Sequence, residues 1–505
     1  MQQQPTRRQI LAGLGGLAGL GTSAVLAGCS DPSTSSPARL ATAVRSVENA
    51  RPTSGVVRSL SLVAKPVQVD LGGRVVSTWA YGDSVPGGSL RASAGDRVRI
   101  AFRNDLPEAT SVHWHGLAIR NDMDGVPGVT TPQIPAGGSF GYDFVVPDAG
   151  THWFHPHHGM QLDRGLYAPF VVDDPAEPGT YDVEWVLVLD DWTDGVGRTP
   201  EQIYADLRSG ATTGGDSGGM GGMSGHGTGG MSGHGMGGMG GMGDGDVSYP
   251  LYLVNGRSPD DPDVLTAAPG RRVRLRIVNA AADTIFTVAL AGHELTVTHT
   301  DGYPVRPVKA TSIRVGMGER YDAVVTLADG VFPLAAAPSG KAGLARALVR
   351  TGTGAAPTPS ARPAELDGLA LTADMLTATA GAALPRRGPD VTQDVLLSGR
   401  MHPYAWTING AGYEDTAALT IRQGQSGRLR IRNRSMMAHP IHLHGHTFQL
   451  GPAGGTGPRK DTVLVPAMAG VDVDLVADNP GRWMLHCHNA YHAEAGMMTR
   501  LDYTT

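Results

Sequence analysis

The chain has 505 residues and a formal net charge of −6, which at roughly 150 residues per domain suggests about three domains. Only 17% of the residues are charged and no stretch is basic enough for a nucleic-acid footprint, so nucleic acid is not an expected partner. The 71 glycines and 35 prolines fit an all-β chain of short strands joined by turns, and two cysteines, Cys29 and Cys487, make no disulfide framework.

Thr6-Arg7-Arg8-Gln9-Ile10-Leu11 has the form of a twin-arginine leader, followed by an apolar Gly/Ala-rich run to Leu26. Leu26-Ala27-Gly28-Cys29 resembles a bacterial lipobox. Residues 1–29 are therefore read as an export signal, with cleavage before Cys29 and lipidation of its sulfur, and 30–54 as a flexible tether. The expected product leaves through the twin-arginine translocation machinery. It then sits in the cell envelope, on the periplasmic side, as a monomer anchored to the membrane by lipid.

A phrase then recurs three times, from Gly95 to Asn104, Gly270 to Asn279 and Gly424 to Asn433. In each, a glycine precedes a polar/apolar alternation that ends on asparagine, the pattern of a turn followed by a half-buried strand. Copies this far apart repeat a whole domain, and three Greek-key sandwiches or barrels follow, at 55–175, 176–355 and 389–505. A Pro/Ala/Thr/Gly-rich linker spans 356–388. The middle domain carries a Gly/Met/His-rich insertion, 212–246, with Met220, Met223, His226, Met231, His234, Met236, Met239 and Met242, too rich in glycine to form a core.

The outer domains hold four His-x-His pairs: His113/His115 and His155/His157 in the first, His442/His444 and His486/His488 in the third. On a strand, His486 and His488 point one way and Cys487 the other, so one tripeptide can touch two kinds of metal centre. Aligning the outer domains by these pairs leaves a quartet present only in the third. His439, Cys487, His492 and Met497 face Thr110, Pro156, Gln161 and Leu166 of the first. Thiolate, imidazole and a weak thioether form the ligand set of an electron-transfer copper. The middle domain has no such pair, and its His293 and His299 are read as structural.

This pattern resembles the multicopper oxidases from about Val56 to Tyr503. The resemblance implies cupredoxin-like domains and four copper ions. His439, Cys487 and His492 would hold the type 1 copper with Met497 axial, and His113 and His442 the type 2 copper. His115, His155, His157, His444, His486 and His488 would hold the type 3 pair. His152, His158 and His446 match no ligand position. Cys487 would take up electrons, and Asp124, in place of an acidic residue near the type 2 copper, would relay protons. Ala493 stands where some bacterial members carry a second carboxylate, with Glu494 one position later.

The donor is read from soft thioethers, which suit Cu(I). The insertion resembles the Met-rich segments of bacterial cuprous oxidases, and Met437 falls where such enzymes place a thioether beside the type 1 site, with Ser435 in place of their acid. The expectation is a multicopper oxidase that passes electrons from Cu(I), phenols or aromatic amines to O2 in copper detoxification. The alternatives are a laccase or Fe(II)/Mn(II) oxidase without a dedicated Cu(I) role, and a non-catalytic copper-binding protein.

Overall fold

The computed structural model describes residues 37–177, 181–210, 245–385, 387–451 and 456–504. Each repeated phrase becomes a strand in the same place of the same two-sheet sandwich. Arg97–Asn104, Arg272–Asn279 and Ser426–Asn433 each pair in parallel with Val57–Asp70, Val183–Trp192 and Val391–Met401 in turn. On their other side they pair antiparallel with Ser139–Val145, Arg320–Thr326 and Gly470–Val476. The leading Gly95, Gly270 and Gly424 adopt φ of 87°, 81° and 87°, where a side chain would be strained.

The closing asparagine is a hub for the loop that follows. Asn104 Nδ2 donates to the carbonyls of Glu108, Ile134 and Pro135. Asn279 Nδ2 donates to those of Thr284 and Val315. Asn433 Nδ2 donates to those of Met437, Val465 and Pro466. In the third sandwich this hub fixes the turn from which His439 departs.

The first sandwich has two four-stranded sheets, and the other two each pair a six-stranded with a five-stranded sheet. Alternation holds in Arg97–Asn104, where every second side chain is buried. It fails in Arg272–Asn279, whose second face is also covered. There Arg274 and Arg276 lie buried on Asp322, and Arg276 reaches Thr151 of the first sandwich.

The tether expected at 30–54 needs correction over part of its length. Pro37–Ala50 is an α-helix with Val44 and Glu48 buried, and the Glu48 carboxylate accepts from Val145 N–H at 3.0 Å. The Ser/Pro composition stops at Pro37, and the Ala/Arg/Leu/Glu sequence beyond it favours helix. The linker at 356–388 is a packed strap with two 3-10 turns, Ala364–Asp367 and Ala373–Met375, and buried Leu366, Leu371, Leu376 and Ala382. The leader, Cys29 and Met220 to Met242 of the insertion lie outside the described residues. No described helix is long and apolar enough to cross a membrane.

Candidate metal centres

Strand register assembles the histidines. His113–His115 lies against Gly150–His155 with His113 opposite His155, and His439–Leu443 lies against Arg482–Cys487 with His442 opposite His486. The two outer sandwiches then bring these pairs face to face. The rings of His113 and His444 stack at 3.7 Å, and those of His115 and His442 at 3.8 Å. Sets in which one nitrogen from each ring lies within 4.8 Å of the others include His113/His115/His442, His115/His155/His488 and His157/His444/His486.

Cys487 points to the opposite face, as strand alternation requires. Its Sγ lies 3.6 Å from His439 Nδ1 and 3.7 Å from His492 Nδ1, and those nitrogens are 3.1 Å apart. His492 stands on the short helix Ala490–Glu494, capped by Asn489, whose side chain accepts from Tyr491 and His492 N–H. Met497 is buried and tied to this set through its backbone: its carbonyl accepts from Cys487 N–H and its N–H donates to the His492 carbonyl. Met437 lies in the core cluster that also holds Cys487 and Met497. The Asn433 hub draws its carbonyl inward, and its side chain is buried. Its neighbour Met436 is the exposed one.

The hydrogen bonds decide which ring nitrogen faces each centre. A neutral imidazole has one N–H and one lone pair. His113 and His442 donate Nδ1–H to the carbonyls of Asp124 and Asp461, and His155 donates to that of Pro156. Their Nε2 atoms are buried without a partner, as is His157 Nε2. His115 is turned the other way: Nε2 lies on Asp461 Oδ1 and Thr462 Oγ1 at 3.2 and 3.1 Å, leaving Nδ1 unpartnered. His444 gives Nδ1–H to Asp124 Oδ2 and His486 gives Nδ1–H to the Cys487 carbonyl, yet their Nε2 atoms approach to 3.0 Å. Two lone pairs that close fit a cation between them and not a hydrogen bond. The donor set therefore fits copper, with soft sulfur and imidazole in one set and imidazoles alone in the others.

Electrostatics agree. Burial, and then repulsion among neighbouring imidazoles, hold His155, His157, His444, His486 and His488 well below the usual histidine range, which keeps the lone pairs free. His492 is the exception. Burial would lower it, but Asp246 and the Cys487 sulfur raise it to about 10. Asp246, the last residue of the insertion, accepts from His492 Nε2 at 3.0 Å and from Tyr404 OH at 2.6 Å.

The sequence reading missed a buried charge network from the middle sandwich. Arg320 Nη1 and Nη2 donate to the two Asp461 oxygens at 2.7 and 2.6 Å. Lys460 lies within 3.1 Å of Asp301 and 3.3 Å of Glu319. Gly116 and Gly318 leave the space: a Cβ on Gly116 would sit 2.3 Å from Arg320, and one on Gly318 would sit 2.9 Å from the His488 ring. The middle sandwich thus orients His115 and His442 of the outer two through Asp461. No His-x-His spacing could have revealed this.

A cavity of about 450 Å³ reaches this cluster, lined by His155, His157, His486 and His488, with His158 and the exposed Glu494 among its walls. His446 lies buried between the His444 carbonyl and Tyr503 OH, and His152 packs on Gly302. His293 bridges the Ala291 carbonyl and Ala328 N–H, the structural role expected of it.

Models of the multicopper oxidase family match residues 64–177, 184–356 and 386–505. The chain is 50% identical over 489 residues to the multicopper oxidase MmcO of Mycobacterium tuberculosis, covering 96% of this chain and 95% of that protein. It is 28% identical over 530 residues to a homolog of copper resistance protein A from Pseudomonas syringae pv. tomato, covering 85% and 90%. A solved multi-copper oxidase from Pseudomonas thermotolerans superposes with a TM-score of 0.68 at 28% identity, over 89% of this chain and 100% of that one.

Proposed function

The chain belongs to the multicopper oxidase family of oxidoreductases, and from that premise we propose that it oxidises Cu(I), with phenols and aromatic amines as further donors, while reducing O2 to water. One observation carries the reading: Cys487 faces His439 and His492, while the residues on either side of it, His486 and His488, enter two other histidine sets. Electrons collected at the sulfur side reach the imidazole side through a single bonded tripeptide. In this reading His439, Cys487 and His492 hold the type 1 copper with Met497 axial, His113 and His442 the type 2 copper, and the other six histidines the type 3 pair. Copper in these sets supplies one-electron storage on one side and oxygen reduction on the other.

The protein groups position rings and handle protons. Asp124 is buried and accepts from His444 Nδ1–H, and in this reading it passes protons to the cluster. The cavity admits O2, and Glu494 on its wall can exchange protons with solvent. Cu(I) is favoured as donor by the relatives named for copper resistance and by the methionines of 220–242. A role in copper detoxification, twin-arginine export and a lipid anchor at Cys29 complete the proposal.

The test is oxygen uptake by the copper-loaded protein with Cu(I), Fe(II) and a phenol side by side. Cu(I) should give the highest kcat/KM, and a phenol preference would favour the laccase reading. Deleting residues 214–245 should depress Cu(I) turnover more than phenol turnover; the opposite result would remove the insertion from the capture role.

A further inference from the structure

The copper ligands of the Cys487 set are closed to direct contact with a donor. His439 and His492 are fully buried, and the outward nitrogen of each is covered, by Ser435 Oγ at 2.7 Å and by Asp246 Oδ2 at 3.0 Å. Electrons must therefore arrive through protein. One face of the hairpin formed by Val391–Met401 and Tyr404–Ile408 leads there. The Trp406 ring lies 4.1 Å from that of His492 and 5.1 Å from that of His439. Tyr404, two residues earlier and so on the same face, lies 6.2 Å from Trp406, and its hydroxyl shares Asp246 Oδ2 with His492. Met401 is the cross-strand partner of Tyr404 and shares its face. It is 38% exposed, and next to it at the tip His402 is exposed, its ring beside Gly210. Gly399 is part of the arrangement: a Cβ there would fall 2.0 Å from the Trp406 ring, so only glycine lets the indole lie across the strand.

We propose that Met401 and His402 at this hairpin tip form a docking site for Cu(I), and that Tyr404 and Trp406 conduct its electron to His492 and His439. The proposal rests on the Cu(I)-oxidase reading and names where that substrate binds. Adjacent exposed residues here offer a thioether and an imidazole, both donors that suit a monovalent copper ion. The step is a one-electron transfer without proton or bond exchange: docked Cu(I) becomes Cu(II), and one copper held by the Cys487 set is reduced from Cu(II) to Cu(I). The oxidised ion is harder and binds thioether poorly, so the product leaves and the site is free again.

The test uses the full-length, copper-loaded protein and the double variant Met401→Leu/His402→Asn, which changes exposed side chains only. The KM for Cu(I) should rise about tenfold or more while kcat at saturating Cu(I) is retained. The ratio of Cu(I) to phenol kcat/KM should fall, and native mass spectrometry should find less Ag(I), the redox-silent analogue, on the variant. In a second variant, Trp406→Leu, bleaching of the blue band by saturating Cu(I) should slow at a matched reduction potential. An unchanged KM for Cu(I) with unchanged Ag(I) binding would overturn the docking site, and unchanged bleaching in Trp406→Leu would overturn the path. A parent protein that oxidises phenol but not Cu(I) would instead defeat the Cu(I)-oxidase reading, and the docking site with it.

Discussion

Replacing Arg320 with glutamine removes the only cation that contacts both oxygens of Asp461 among the described residues. Burial would push the Asp461 carboxyl up; Arg320 and the hydrogen bonds from His115 and His442 hold it well below the usual range. Without the guanidinium an unpaired carboxylate would remain in a fully buried site, at a cost of about 3–5 kcal/mol, and the parent should melt several degrees above the variant. Asp461 would relieve this by taking up a proton, and would then be a weaker, uncharged acceptor for His115 Nε2. Loss of such an orienting partner weakens metal binding by about 10–100-fold. Copper retention after dialysis against a chelator, with electron paramagnetic resonance of the imidazole-bound copper, reads this directly. The blue Cys487 band serves as internal control, since Asp461 does not touch that set. Arg274→Gln breaks an equally buried pair with Asp322, at 2.6 Å, that touches no ligand histidine. It should lower the melting temperature and leave copper retention alone. The reasoning is refuted if Arg320→Gln melts early yet retains copper and its resonance signature as the parent does.

Cys487→Ser should abolish the blue band and donor oxidation while the histidine sets still bind copper, as metal analysis and spectroscopy would show; undiminished turnover would remove Cys487 from electron uptake. Gly318→Ala places a Cβ 2.9 Å from His488 and 3.0 Å from His115 at a φ of 82°, so copper should be lost from the histidine sets with the blue band retained. The Asp191 carboxyl is pushed by burial up to about 6. An acid whose folded value is raised keeps its proton while the unfolded chain loses it. Stability therefore falls as pH rises from about 4 to about 6, by about 3 kcal/mol, and no further above. The melting temperature of Asp191→Asn relative to the parent should rise across that window and then level off; a pH-independent difference would contradict the assignment. Cys29→Ala should release the protein from membranes in fractionation if the lipid anchor is correct.

Local periodicity made much of this protein legible from its residues. A strand places alternate side chains on opposite faces whatever surrounds it, so His486-Cys487-His488 had to divide between two faces, and three glycine-to-asparagine phrases had to become equivalent strands. The helix at Pro37–Ala50 was missed because a Ser/Pro-rich stretch was extended past the proline where it ends.

Tertiary structure alone decided the rest. Asp461 lies 346 residues from His115 in the chain, Asp246 lies 246 from His492, and Arg320 belongs to the middle sandwich while the histidines it orients belong to the outer two. These groups fix which nitrogen of an imidazole is taken up by a hydrogen bond and which is left free. They act where separate sandwiches meet, and contacts across such interfaces leave no period in the sequence, because each partner is spaced by its own strand and not by the other's.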